Sequence, residues 1–261
     1  MTRTELTSRI GASDAVAGAP KITPQSLQYT PLEKIVVPKP VDRIRWISQF
    51  CAGKRVLDLG AMDETAFAQK RNSGNWLHEE IAKRAERVVG LDSSSALPAD
   101  GLKTGDNACI RRGDIFDLAN FLERENFKPD VVVAGELIEH IDNPLAFLKL
   151  FRSIDALKGA ELVFSTPNAT ALHNGLIGMM GRESTHQDHL CILSFKTLST
   201  LMRRAGYEDW TITPYHSDFV EMKSRNQGVR GRLVSGGEAA IRAAERMFPL
   251  LSFGYVVATR I

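Results

Sequence analysis

Short apolar runs separated by stretches of helical period set the pattern of this chain. Residues 55–59, 87–91, 130–135 and 161–165 are each a few residues long, rich in Val, Leu and Ile, and bounded by Gly, Asp or other polar positions, and 108–113 is a poorer run of the same kind. Apolar runs of that length, without strict alternation, suit strands covered on both faces. Ile44, Trp46, Ile47 and Phe50 recur at helical spacing and predict a helix over 41–50. A second helix is predicted over 74–85. A third begins at Asn143-Pro144, with Asn as N-cap and Pro at the first helical position. Strands that alternate with helices imply parallel βαβ units in an open α/β sheet. Residues 210–214 and 253–259 read as two late strands, with a helical run over 237–247 between them.

Composition narrows this picture. At 261 residues, with 43% hydrophobic and 25% charged positions, the chain can bury one large α/β core plus a small cap. A balance of 33 basic against 31 acidic residues, net +2, lacks the basic footprint of a dedicated nucleic-acid binder. The basic stretch 223–232 reads as a surface loop. Cys51, Cys109 and Cys191 are scattered and without metal-type spacing, as expected of reduced thiols. Glu5, Arg9 and Asp14 interrupt the first segment, so it has no secretory apolar core, and no apolar run approaches the ~20 residues of a membrane span. A cytoplasmic protein without membrane contact is expected. Residues 1–30 read as a flexible N-terminal arm and 31–261 as a single domain.

The chemistry concentrates where strands end. Val-Leu-Asp58-Leu-Gly60 closes the first strand on a carboxylate and a glycine that lets a ligand approach the backbone. Gly-Leu-Asp92 closes the second, where the carboxylate can accept both hydroxyls of a ribose and Ser93 can help hold the nucleoside. Gly113-Asp114-Ile115 closes the third, with Asp114 able to accept from an adenine amino group while Ile115 packs on the ring. Each acid alone could equally cap a turn. Three acids at three successive strand ends suit a nucleoside cofactor in the crevice at the carboxyl edge of the sheet.

Together with Asp130-Val-Val-Val-Ala-Gly135-Glu136-Leu-Ile-Glu139-His140 and Ser165-Thr-Pro-Asn168, the order of these motifs resembles the class I S-adenosylmethionine-dependent methyltransferases from about residue 41 to the C-terminus. The resemblance implies a Rossmann-like, doubly wound, seven-stranded sheet, mostly parallel with an antiparallel last strand. It also implies a cap insertion for the acceptor around 171–193 and a helical insertion around 217–250. S-adenosylmethionine is then the cofactor, held by Asp58, Gly60, Asp92, Ser93, Asp114, Ile115 and Gly135. One departure is Met62, which stands where the family usually has a loop glycine.

Glu136-Leu-Ile-Glu139-His140 follows the fourth strand and so faces the crevice. His140 can act as base toward an acceptor hydroxyl, because imidazole titrates near working pH. Glu136, Glu139 and His140, joined by His189 of His186-Gln-Asp-His189, can instead hold a divalent metal, Mg or Mn. That Glu-x-x-Glu-His pattern resembles the metal sites of small-RNA 3′-terminal 2′-O-methyltransferases and of some quinone-precursor O-methyltransferases. Catalytic roles are thus expected of His140 and His189, and an alcohol acceptor needs such help most. The acceptor expected is a small hydroxylated molecule, foremost a saccharide or glycoconjugate precursor. An RNA ribose 2′-hydroxyl and a non-catalytic cofactor-binding partner protein are the alternatives, and a homodimer is left open.

Overall fold

The computed structural model describes residues 27–62, 75–219, 222–223, 226 and 228–261. An eight-stranded sheet forms its centre. In chain order the strands are β1 (Arg55–Leu59), β2 (Arg87–Asp92), β3 (Leu102–Lys103), β4 (Ala108–Arg112), β5 (Val131–Gly135), β6 (Glu161–Pro167), β7 (Trp210–Tyr215) and β8 (Gly254–Arg260). Across the sheet the order is β3-β4-β2-β1-β5-β6-β8-β7. Strands β4, β2, β1, β5 and β6 run parallel, and β8 is antiparallel to both β6 and β7. The seven strands expected are therefore joined by an eighth, the two-residue β3, which pairs antiparallel with β4. So short a strand carries no period-two pattern to be read.

Helices cover both faces. On one side lie α1 (Arg43–Phe50) and α2 (Leu77–Ala82); Trp46, Ile47 and Ile81 pack there on Val56, Val88, Val131, Val133 and Val163. On the other side α3 (Leu118–Arg124), α4 (Pro144–Ser153) and α6 (Phe195–Arg204) bring Phe121, Phe147, Phe151 and Leu198 onto Leu57, Leu59, Val89, Leu91 and Phe164. Alternate residues of each strand thus serve opposite layers, which is why the runs were apolar throughout. Asn143 caps α4 through Ala146 N at 3.0 Å, with Pro144 at the first helical position, as expected.

Helix α5 (Leu172–Met179) lies in the cap region, and α7 (Gly228–Met247) in the helical insertion. The basic stretch read as a loop is helical from Gly228 onward: the first turn of α7 includes Arg230 and Arg232. At the other end of the chain, Leu27 is buried and Tyr29 packs on the core, while residues 1–26, most of the expected arm, lie outside the described residues.

The chain passes from β1 to β2 on one side and returns to β5 on the other, so a crevice opens at the carboxyl ends of β1 and β5. Close packing behind it depends on Gly90, opposite Asp58 in the ladder. A methyl group there would come within 2.9 Å of both Ala61 Cβ and Ile110 Cγ1. Gly90→Ala is expected to cost ~1–3 kcal/mol through overpacking, measured as a lower urea midpoint; an unchanged midpoint would contradict the tight packing.

Candidate active site

At the β1 edge, Gly60 adopts φ +71°, and a side chain there would meet Leu137 Cδ1 at 3.1 Å, so the turn requires glycine. Met62 is buried with Ala61, Trp76 and Leu97, which explains how a methionine is housed in this loop. Its backbone N–H donates to Asp92 Oδ2 at 2.8 Å, and Ser94 N donates to Asp92 Oδ1 at 2.9 Å. The Asp92 carboxylate thus ties the first loop to the end of β2 and keeps lone pairs for hydroxyl donors. Ser93 beside it is exposed. Asp114 caps a short 3-10 turn through Phe116 N at 2.8 Å, and Ile115 is half-buried against the core.

Asp58 departs from expectation. Its carboxylate does not face the crevice but is enclosed, with Oδ2 2.9 Å from His78 Nδ1, while His78 Nε2 lies 2.8 Å from Thr104 Oγ1. The reason is the strand period: Asp58 shares a face with Val56, toward α2, which carries His78. Asp58 therefore braces β1 against α2 through His78. His78, given no role from the sequence, is the residue that consumes it.

Beyond β5 the space over Gly135 is filled by Leu77 Cδ2, so this glycine serves helix–strand packing. Glu136 takes φ +53°, a left-handed conformation uncommon for a glutamate. It is held there by its N–H to Ser165, 3.1 Å to the carbonyl and 3.2 Å to Oγ, and by the Tyr215 hydroxyl, which donates to Oε1 at 2.9 Å. Burial, reinforced by the nearby Glu136 charge, pushes the Tyr215 phenol well above its ordinary pKa, so it keeps its proton. Arg43 of α1 reaches Ser165 Oγ at 3.3 Å and lies over the Tyr215 ring.

Glu139, His140 and His189 converge, with one potential ligand atom from each lying within 4.8 Å of the others. Glu136, also expected in this group, stands outside it because its carboxylate is turned toward Tyr215. The loop after α5 is docked on the turn by one backbone bond and one side-chain bond: Leu190 N donates to the Glu139 carbonyl at 2.8 Å, and His140 Nδ1 lies 3.1 Å from the Asp188 carbonyl. Donation to a carbonyl puts the proton on His140 Nδ1 and leaves the Nε2 lone pair available. Burial first, then the neighbouring His140, lowers the His189 pKa and keeps it a neutral imidazole.

Glu139 is fully buried, and neither of its carboxylate oxygens has a hydrogen-bond partner among the described residues. Burial, then the charge on Glu136, pushes its pKa up to about 9. A buried carboxyl flanked by two imidazoles with free nitrogens fits a divalent cation, which would supply the positive charge that the unpartnered carboxylate lacks. Arg43 and Tyr215 were missed in the sequence, and Ser165 was read there as part of a motif without a role of its own. Arg43 sits on an otherwise amphipathic helix, and Tyr215 ends a strand whose partner was unknown; no local signal marks either.

An open, mostly parallel sheet with acid-tipped strands and a crevice at the β1–β5 switch defines an S-adenosylmethionine-dependent methyltransferase of class I. The chain belongs to the methyltransferase-domain family, whose profile matches residues 39–212. It is similar to the ubiquinone biosynthesis O-methyltransferase of Hahella chejuensis, 34% identical over 147 residues that cover 54% of each chain. It is also similar to the protein of that name from Idiomarina loihiensis, 28% identical over 202 residues, 71% of this chain and 74% of the relative. The match spans about half the length of the first of these relatives. A Thermotoga maritima methyltransferase, described as a possible histamine N-methyltransferase, shares the fold with a TM-score of 0.50 at 13% identity, covering 83% of this chain and 86% of that one. No helix among the described residues is long and apolar enough to cross a membrane.

Two outcomes follow from this geometry. Asp92→Ala leaves the Met62 and Ser94 amides unpaired and removes the hydroxyl acceptor, so affinity for S-adenosylhomocysteine should fall by ~1–3 kcal/mol in calorimetric titration; unchanged affinity would remove Asp92 from the pocket. Glu139 titrates at its ordinary 4.5 when unfolded and at about 9 when folded. The folded state binds the proton more tightly, so that contribution is whole below pH 4.5 and is lost progressively as pH rises toward 9. At neutral pH the penalty is about 3 kcal/mol. Metal-free Glu139→Gln should therefore melt above the parent by a margin that widens from about pH 5 to about pH 8; a constant margin would contradict a raised Glu139.

Proposed function

We propose that this chain is an O-methyltransferase that transfers the methyl group of S-adenosylmethionine to a hydroxyl of a small molecule, with a divalent-cation site made by Glu139, His140 and His189. The carrying observation is the unpartnered, buried Glu139 carboxyl beside two imidazole nitrogens at the end of β5. The name shared by the curated relatives supports O-methylation, and favours a quinone-type ring hydroxyl over the saccharide hydroxyl expected from the sequence. A run of aromatic rings near α5 agrees: the half-buried His173 stacks on Phe253 at 4.7 Å and 11°, and Phe253 lies 5.8 Å from the buried Tyr215 ring.

The sulfonium brings its own leaving group, so the chain's task is to align the acceptor and exclude water. A bound divalent cation lowers the pKa of a hydroxyl. Two imidazoles beside one carboxylate favour Mn over Mg. Asp188 holds the His140 ring through Nδ1, and Glu139 must lose its proton to become a ligand. The same Asp188 bond supports a second reading, in which His140 Nε2 itself takes the hydroxyl proton and no metal is needed.

Purified protein assayed with ring-hydroxyl compounds, oligosaccharides and short RNAs, before and after chelation and Mn restoration, separates these readings. Loss on chelation and recovery with Mn supports the cation site; turnover that ignores the chelator assigns His140 as base. Cofactor binding without turnover on any pool would favour the non-catalytic reading. His140→Ala is expected to lower turnover by about two to four orders of magnitude while S-adenosylhomocysteine still binds; normal turnover would remove His140 from the reaction.

A further inference from the structure

We infer that α5 and the first half of α7 form a docking face for an anionic lipid surface. The face adjoins the crevice and is independent of how the acceptor is activated.

Helix α5 carries no charged residue, and none of its residues is buried. By helical period Leu172, Leu176, Met179 and, at the C-cap, Met180 fall on one side. That side is turned outward, with Met179 78% and Met180 71% exposed. Leu190, exposed in the loop that follows, carries the apolar surface to the crevice, because its amide is the one bonded to the Glu139 carbonyl. A helix that turns its apolar stripe to water rather than to the core marks an interaction surface.

Helix α7 packs beside α5 and repeats the pattern with charge added. No residue from Gly228 to Gly237 is buried, and Val229 and Leu233, one turn apart, are 73% and 71% exposed. Helical period sets Arg230 on one flank of that apolar pair and Arg232 on the other. Neither arginine has an ion-pair partner among the described residues, and the next acid, Glu238, is held by Lys223 and Arg242. The loop after α5 sets Arg182 against Glu183 and Asp188, so the positive excess belongs to α7.

Apolar side chains flanked by unpaired arginines match anionic headgroups lying over acyl chains. A second copy of the chain matches less well, since a two-fold contact through this patch would bring the arginines of both copies together. Lying on a surface needs no spanning helix, so the short apolar runs of the sequence do not bear on it. The contact would bring the loop that carries His189 to the lipid.

The test is flotation of the full chain with vesicles of phosphatidylcholine alone or mixed with phosphatidylglycerol. The expected result is binding to the mixed vesicles that weakens about 10-fold or more on phosphatidylcholine alone and falls as salt is raised. The double variant Arg230→Gln, Arg232→Gln should bind mixed vesicles about 10- to 30-fold more weakly, and Met179→Asp, Met180→Asp should lose a comparable amount. Both pairs are exposed, so circular dichroism should show each variant folded; if one is not, the other decides. No binding of the parent to mixed vesicles, or undiminished binding by a folded double variant, would overturn the inference. So would a dimer in sedimentation that Met179→Asp, Met180→Asp dissociates, since a second copy would then cover this face.

Discussion

The site depends on hydrogen bonds to two backbone carbonyls that join the turn after β5 to the loop that follows α5. Leu190 N on the Glu139 carbonyl, and His140 Nδ1 on the Asp188 carbonyl, lock together segments 48 residues apart. The first joins main chain to main chain and follows the path of the chain, whereas the second needs the His140 imidazole itself. Once it forms, His189 has nowhere to go but beside His140. The imidazole pair and the buried Glu139 follow from that one contact.

Burying a carboxyl without a partner is expensive, and the fold spends stability there instead of satisfying the group. Such local conflict is expected where function competes with folding. The surroundings sharpen it: Glu136 stands close by as a second acid, strained and pinned by Tyr215, while Arg43 brings positive charge to the rim. The opposite pattern appears at Asp58, an acid just as deeply buried but fully answered by His78. One carboxylate is answered by a histidine, and the other has no hydrogen-bond partner among the described residues.

Much of the scaffold was legible because each strand is covered on both faces and so reads as an unbroken apolar run. The start of α4 was legible because Asn143-Pro144 carries its own cap. Asp92 was legible as the acid that ends β2, and Glu139, His140 and His189 were named together with Glu136, which stands outside the group that converges. The strand β3 was not visible, since two residues pair only because β4 lies alongside. The first turn of α7 was hidden by its glycines and arginines, which read locally as loop.

By itself, the order of residues determined the seven longer strands, that they run mostly parallel, and that acids and a Glu-x-x-Glu-His turn lie at their carboxyl ends, because those features are periodic or local. Only the tertiary structure decided where each acid points. Asp58 turns to His78 because strand period puts it on the α2 face, Glu136 turns to Tyr215 because β7 and β8 close the sheet beside it, and Glu139 stays unpaired because the cap docks over it. Side-chain partners drawn from distant segments have no signature in any one of those segments.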